Sequence, residues 1–214
     1  MALQNTHGEI FVEYAVTPRA HTRYLPLMMD AVLAQARVSK LSLSHIAFAN
    51  GPGAFTGVRI AASTAQGISI GLGCPLVAIS TLAVLAQTAA DQYAQTDILA
   101  AIDARMGEAY VGRYRQNEAD CVVRAVADEQ LLKLADLATP TDCFLAGSGF
   151  SARRAAGLAM TENDRIDDAL LPHAAALVKL ARVAVDEGRC DPVGSASINY
   201  LRNQVAEKSR KKSL

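Results

Sequence analysis

Glycines at close spacing beside a hydroxyl and a cation are the chain's best candidate for chemistry: Asn50-Gly-Pro-Gly-Ala-Phe-Thr-Gly-Val-Arg-Ile60. An apolar run, Ile46 to Ala49, enters this stretch, and a small-residue segment, Ala61 to Ile70, leaves it. That order reads as strand, glycine turn, helix. Glycines let the backbone turn where a side chain would resist, and the free N–H groups opening a helix can hold an anion or a partner's acceptor. The standard phosphate codes fail, however. From Gly51, the place of a Walker loop's second glycine is taken by Thr56 and no lysine follows. The dinucleotide pattern fails too, because Gly57 falls one place late after Gly51 and Gly53. A phosphate cradle and a plain structural turn both remain open at this point.

Other groups of reactive type are weaker. His7, His21, His45 and His173 have no spacing that sets two imidazoles on one helix face, so a metal site is not expected. Ser148 lies in Gly147-Ser-Gly149, which is not the Gly-x-Ser-x-Gly of a nucleophile elbow. Asp103 has the type of a general base, but before Gly107 it reads better as the residue that fixes a turn.

The elements that position these residues form two similar series. Met1 to Gly8 reads as the end of a strand plus a turn, and Glu9 to Ala15 as the next strand. Thr22 caps an expected helix to Ala36, with Leu25, Met28, Met29, Val32, Leu33 and Ala36 on one face. Tyr24, Leu27, Ala31 and Ala34 add a second apolar face, which suits either burial or a partner chain. After the glycine turn come a helix from Phe55 to Ile70, a strand from Pro75 to Ile79 and a helix capped by Ser80 or Thr81. A second series follows: strand Ile98 to Ile102, turn, strand Glu108 to Tyr114, strand Cys121 to Val126, and a helix from Asp128 through Ala138. Strand Cys143 to Ala146, a short helix after Gly147, and an amphipathic helix from Leu171 to Glu187 with Pro172 in its first turn complete it. The chain therefore divides into lobes at 1–96 and 97–214, with the C-terminal segment expected to pack back on the first.

Composition bounds the function. With 21 basic and 21 acidic residues in 214, no global field favours nucleic acid or acidic membrane. Cys74, Cys121, Cys143 and Cys190 are widely spaced and read as thiols of a reduced compartment. No apolar run reaches the ~20 residues of a membrane helix. A cytoplasmic protein is the expectation.

Asn50 to Ile60 with Gln66-Gly67, Ala100-Ala-Ile-Asp-Ala-Arg-Met-Gly-Glu108 with Tyr110, Ala20-His-Thr22 leading to Leu25-Pro26, and Tyr200-Leu-Arg202 together resemble the bacterial TsaB (YeaZ) family over essentially the whole chain. The resemblance implies an α/β protein with two related lobes of the actin, sugar-kinase and heat-shock-chaperone superfold, which is ribonuclease H-like. It implies a non-catalytic role in making threonylcarbamoyladenosine in tRNA, as a partner of TsaD with TsaE, or a homodimer where TsaD is absent. Contact with tRNA would be indirect. No cofactor is expected on the chain alone, and ATP or ADP only at the junction with TsaD. The resemblance also places pairing on helices of the first lobe. It thereby assigns Gly51, Pro52, Gly53, Phe55, Thr56, Gly57 and Arg59 to a partner-interface or nucleotide-proximal loop, with Phe55 packed beneath it. Tyr24, Leu27, Met28, Ala31, Ala62 and Ala65 become the interface helices' contacts.

By the same comparison, relatives open with an apolar strand ending in Asp-Thr. Roughly a dozen residues, a strand at ~3.3 Å per residue plus a turn, are then missing before Met1, as if the start were assigned at an internal methionine. The expected consequence is an unpaired neighbour position beside the strand at Ile10 to Val12, open to chain-to-chain pairing. A small-molecule kinase or metallopeptidase-like enzyme of the same superfold is the alternative function, and a self-associating regulatory dimer a further one. The tail basics Lys208, Arg210, Lys211 and Lys212 could meet tRNA phosphates, although a solvated terminus is the preferred reading.

Overall fold

A computed structural model describes residues 1–16, 21–162 and 165–202, together with the backbone but not the side chains of His21 and Thr22. The basic tail lies outside the described residues.

The second lobe shows the complete plan. Strands β5 (Asp97–Arg105) and β6 (Glu108–Gln116) form a long antiparallel hairpin. β9 (Phe144–Ala146) lies parallel to β5 on its other side, and β10 (Ile166–Asp167) lies parallel to β9. β7 (Val123–Ala125) and β8 (Gln130–Lys133) both pair antiparallel with β6. The apolar run of β5 is buried on both faces, which is why Ile98 to Ala101 carries no polar residue. Helix α4 (Ser148–Ala155) follows β9, and α5 (Ala174–Asp186) follows β10.

The first lobe repeats these parts as two smaller pairs of strands. β1 (Ala2–Gln4) and β2 (Ile10–Val12) form an antiparallel pair, and β3 (Ile46–Ala49) and β4 (Leu76–Ile79) a parallel pair. These are separate two-stranded sheets. Among the described residues nothing pairs with the second edge of β1 or β3, the two edges that correspond to those flanking β5 in the second lobe. Among the described residues one edge of β2 is unpaired as well, as expected for the strand at Ile10 to Val12. Helix α5 packs on all four strands and spans the two sheets. Helix α1 (His21–Ala36) packs on β1 and β2, α2 (Phe55–Leu72) on β3 and β4, and α3 (Thr81–Tyr93) against α5 and the second-lobe sheet.

The main core lies where the lobes meet. Leu82, Leu85, Ala86 and Ala89 of α3 and Ala184 of α5 are fully buried with Ile98 and Ala100 of β5. Each large apolar side chain removed from water there contributes roughly 1.5–3 kcal/mol. A smaller cluster joins Phe48, Ala62, Ala65 and Leu76 beneath α2, and a third centres on Phe150, Leu137 and Leu145.

Three local expectations need correction. Residues 128–138 are not a helix: Gln130 to Lys133 pair with Val111 to Glu108 of β6, and Leu134 and Leu137 are buried after that strand. Pairing with a distant strand overrides a local pattern that no neighbouring sequence reveals. Helix α5 starts later than expected, after His173, whose Nδ1 accepts the Ala175 N–H at 3.3 Å, so Pro172 precedes the cap. Thr22 lies inside α1 rather than ahead of it. Ser80, by contrast, caps α3 as expected, accepting from Leu82 and Ala83 N–H at 3.1 and 3.4 Å.

Candidate functional site

The glycine turn stands between the end of β3 and the start of α2, and its backbone demands are uneven. Gly51 has φ +106°, and a Cβ there would come within 2.8 Å of the Asn199 carbonyl oxygen. Gly53 and Gly57 would accept a Cβ at ordinary distances, 3.4 and 3.9 Å from Val58 and Ala54. One glycine is thus required by geometry and two are not. The Gly51–Pro52 bond is cis, and both residues are buried. The Gly51 carbonyl accepts the Thr81 N–H at 2.8 Å, tying the turn to the start of α3.

The second lobe repeats the device. Gly147, between β9 and α4, has φ +99°, and a Cβ there would meet the Ala101 carbonyl oxygen at 2.7 Å. Ser148 then accepts the Asp103 N–H on its Oγ at 3.1 Å. The Asp103 carboxylate accepts the Arg105 N–H at 2.8 Å and pairs with the Arg105 guanidinium at 3.0 Å. Arg105, Met106 and Gly107 all have positive φ, so Asp103 is the fastening of a tight hairpin, as its position before Gly107 implied.

The returning C-terminal segment joins these loops. Asp191 bridges to Leu76, and Gly194 donates its N–H to Ser69 Oγ at 3.0 Å while its carbonyl accepts from Gln66 at 2.6 Å. Asn199 donates its N–H to the Asn50 carbonyl at 2.9 Å. Arg202 then reaches the second-lobe hairpin, at 3.1 Å from the Ala104 carbonyl and 2.5 Å from Glu108 Oε2. Residues 190–202 therefore strap the first lobe and finish on the second.

A carboxylate not singled out in the sequence lies at the junction. Glu129 accepts from Ser80 Oγ, from the Tyr114 hydroxyl at 2.5 Å and from Asn199 Nδ2 at 3.1 Å. It draws together the first lobe, the second-lobe sheet and the strap. Burial, then the Glu129 charge, push the Tyr114 hydroxyl well above the ordinary tyrosine range. No local spacing signals this group, because its partners lie far along the chain. Beside it opens a cavity of about 350 Å³ lined by Ser80, Tyr114, Glu129, Arg124 and Arg189 among others. Gln87 bolts α3 to the same sheet, accepting the Val123 N–H at 2.8 Å and donating to the Cys121 carbonyl at 3.2 Å.

The residues assigned to interface helices divide. On α1, Leu27 is 60% exposed and Tyr24 is also exposed, while Met28 and Ala31 are half-buried. Ala62 and Ala65 of α2 are buried against Phe48 and Leu76, so they serve this chain's own core rather than a surface. A helix lined with small residues has no strong apolar stripe to say which side turns inward. Its outward side carries Thr56, Arg59, Ser63, Gln66, Gly67 and Ile70. Phe55 is not beneath the loop: it is 58% exposed, with the Arg59 guanidinium 3.3 Å over its ring. Among the described residues no cluster of His, Cys, Asp and Glu could hold a metal ion, and no helix is long and apolar enough to cross a membrane.

Comparison with known proteins gives a consistent result. Residues 12–188 match a family model described as TsaD: tRNA N6-adenosine threonylcarbamoyltransferase. The tRNA threonylcarbamoyladenosine biosynthesis protein TsaB of Escherichia coli is 33% identical over 215 residues, covering 94% of this chain and 89% of that protein. The TsaB protein of Haemophilus influenzae is 30% identical over 89% of this chain and 83% of its own length. The solved structure of YeaZ from Pseudomonas aeruginosa superposes with a TM-score of 0.85 at 36% identity, covering 94% of this chain and 92% of that one.

Proposed function

The chain belongs to the TsaB (YeaZ) family, and from that membership we propose that it is a non-catalytic subunit required to make threonylcarbamoyladenosine in tRNA. In this reading it docks TsaD through the first lobe, acts with TsaE, and meets tRNA only through the complex, in the cytoplasm. ATP or ADP is held at the junction with TsaD and not by this chain alone. Where TsaD is absent, the same face pairs two copies.

The observation that carries the reading is the outward face of α1. Among the described residues α1 packs chiefly on β1 and β2 yet presents Tyr24 and Leu27 to solvent, which supports a second protein surface there. Asp103, the acid an enzyme reading would use, is spent on the hairpin turn instead. Reconstitution of tRNA modification with TsaD, TsaE, ATP, threonine and bicarbonate, with and without this protein, tests the proposal. Modification that depends on its addition is the expected result. Equal modification without it, or turnover of ATP by the purified chain alone, would remove the non-catalytic role.

A further inference from the structure

Arg59 is the one charged residue of α2, and among the described residues it is the arginine set over aromatic rings. Its guanidinium stacks 3.3 Å over the Phe55 ring and lies 5.6 Å from the Tyr200 ring. Among the described residues it has no acidic partner, a state it shares with Arg23, Arg37 and Arg153, whereas Arg105, Arg113, Arg115, Arg124, Arg154, Arg182, Arg189 and Arg202 are ion-paired. The rings beside it are exposed, Phe55 by 58% and Tyr200 by 50%. Tyr200 is held in place from both sides: Asn199 is bonded to Asn50, and Arg202 reaches Ala104, Glu108 and, at 3.3 Å, Met106 Sδ. The first lobe and the strap thus both contribute to one patch, apolar at its edges and cationic at its centre.

A guanidinium laid flat on an aromatic ring keeps its N–H edges free and in plane. That arrangement loses little further freedom on forming paired bonds to a carboxylate. We infer that Arg59 is the anchor for an aspartate or glutamate of a partner protein, seated between Phe55 and Tyr200. The inference rests on the docking role proposed above and adds the chemistry of the contact. A nucleic acid fits less well. Arg59 covers the Phe55 face on which a base would stack, and phosphate binding draws on several cations, where α2 supplies one. Buried Tyr and Arg anchors ringed by apolar contacts are instead the usual energetic centre of protein interfaces.

The test is binding of the full chain to purified TsaD, with Arg59→Glu, Arg59→Ala and Arg59→Lys compared with wild type. Arg59→Ala is expected to weaken binding about 10- to 100-fold, the range of an interface anchor. Arg59→Glu is expected to weaken it further, and Arg59→Lys to recover only part of the loss. Rising salt should weaken the wild type more than Arg59→Ala. In the Arg59→Lys complex, a carbodiimide, which joins an amine to a carboxylate with loss of water, should link position 59 to an Asp or Glu of the partner. Wild-type binding matched by Arg59→Glu, with unchanged melting, would overturn the anchor while leaving the docking role intact; so would absence of a link from position 59. Loss of tRNA binding in Arg59→Glu with TsaD binding unchanged would assign the patch to nucleic acid instead. No binding of TsaD by the wild type would overturn both readings.

Discussion

Asn199 approaches the glycine turn twice: its N–H bonds the Asn50 carbonyl at 2.9 Å, and its own carbonyl oxygen occupies the space a side chain at Gly51 would need, 2.8 Å from the ideal Cβ. The turn and the strap are therefore mutually fitted, and a residue nearly 150 positions away in sequence sets the requirement at Gly51.

Gly51→Ala is expected to cost roughly 1–3 kcal/mol, because it adds a positive-φ penalty to a backbone clash. Denaturant unfolding measures the loss, and hydrogen exchange should show it concentrated in residues 190–202. Gly57→Ala, which meets no close atom, serves as the control and should be near neutral.

Ala65→Leu and Leu27→Arg are expected to behave in opposite ways. The first overpacks the cluster of Phe48, Ala62 and Leu76 and should lower stability by about 1–3 kcal/mol. The second changes an exposed position and should alter stability by no more than about 0.5 kcal/mol while weakening TsaD binding. Thermal melts beside a binding titration separate the two.

Glu129→Ala leaves the buried Tyr114 hydroxyl without its acceptor and should cost roughly 1–3 kcal/mol. An alkaline effect accompanies it. The Tyr114 pKa is raised in the fold, so its stabilising contribution is full below the ordinary tyrosine value of about 10 and is lost as pH rises past it. Unfolding free energy measured between about pH 9 and 11 should decline less steeply in Tyr114→Phe than in wild type.

Asp97 governs the acid side. Burial alone would raise its carboxyl, yet hydrogen bonds from Arg113 and Arg115, and their charge, outweigh burial and hold it below the ordinary carboxylate range. Its contribution is therefore present above the unfolded value of about 4 and lost as pH falls through the lower folded value. Asp97→Asn should be less stable than wild type at neutral pH, and the gap should close in acid. Urea unfolding at pH 7 and pH 3 checks this; a gap of equal size at both would contradict it.

The sequence by itself determined what adjacent residues decide. Glycines and flanking apolar runs set the strand, turn and helix at Ala49 to Phe55, Ser80 had the right hydroxyl to cap α3, and Asp103 stood in the place of a turn-fixing acid. The repeated order of elements was also legible, because each series is spelled out continuously along the chain. Only the tertiary structure decided which way each surface faces. Ala62 and Ala65 turn inward and Phe55 outward because α2 lies on Phe48 and Leu76, and the helix's own pattern is too uniform to orient it. Gln130 to Lys133 became a strand because Glu108 to Val111 offered it an edge. Glu129 acquired its partners from Ser80, Tyr114 and Asn199, and Arg59 its second ring from Tyr200. Those contacts join residues far apart in the chain, and no local spacing encodes a distance that only folding closes.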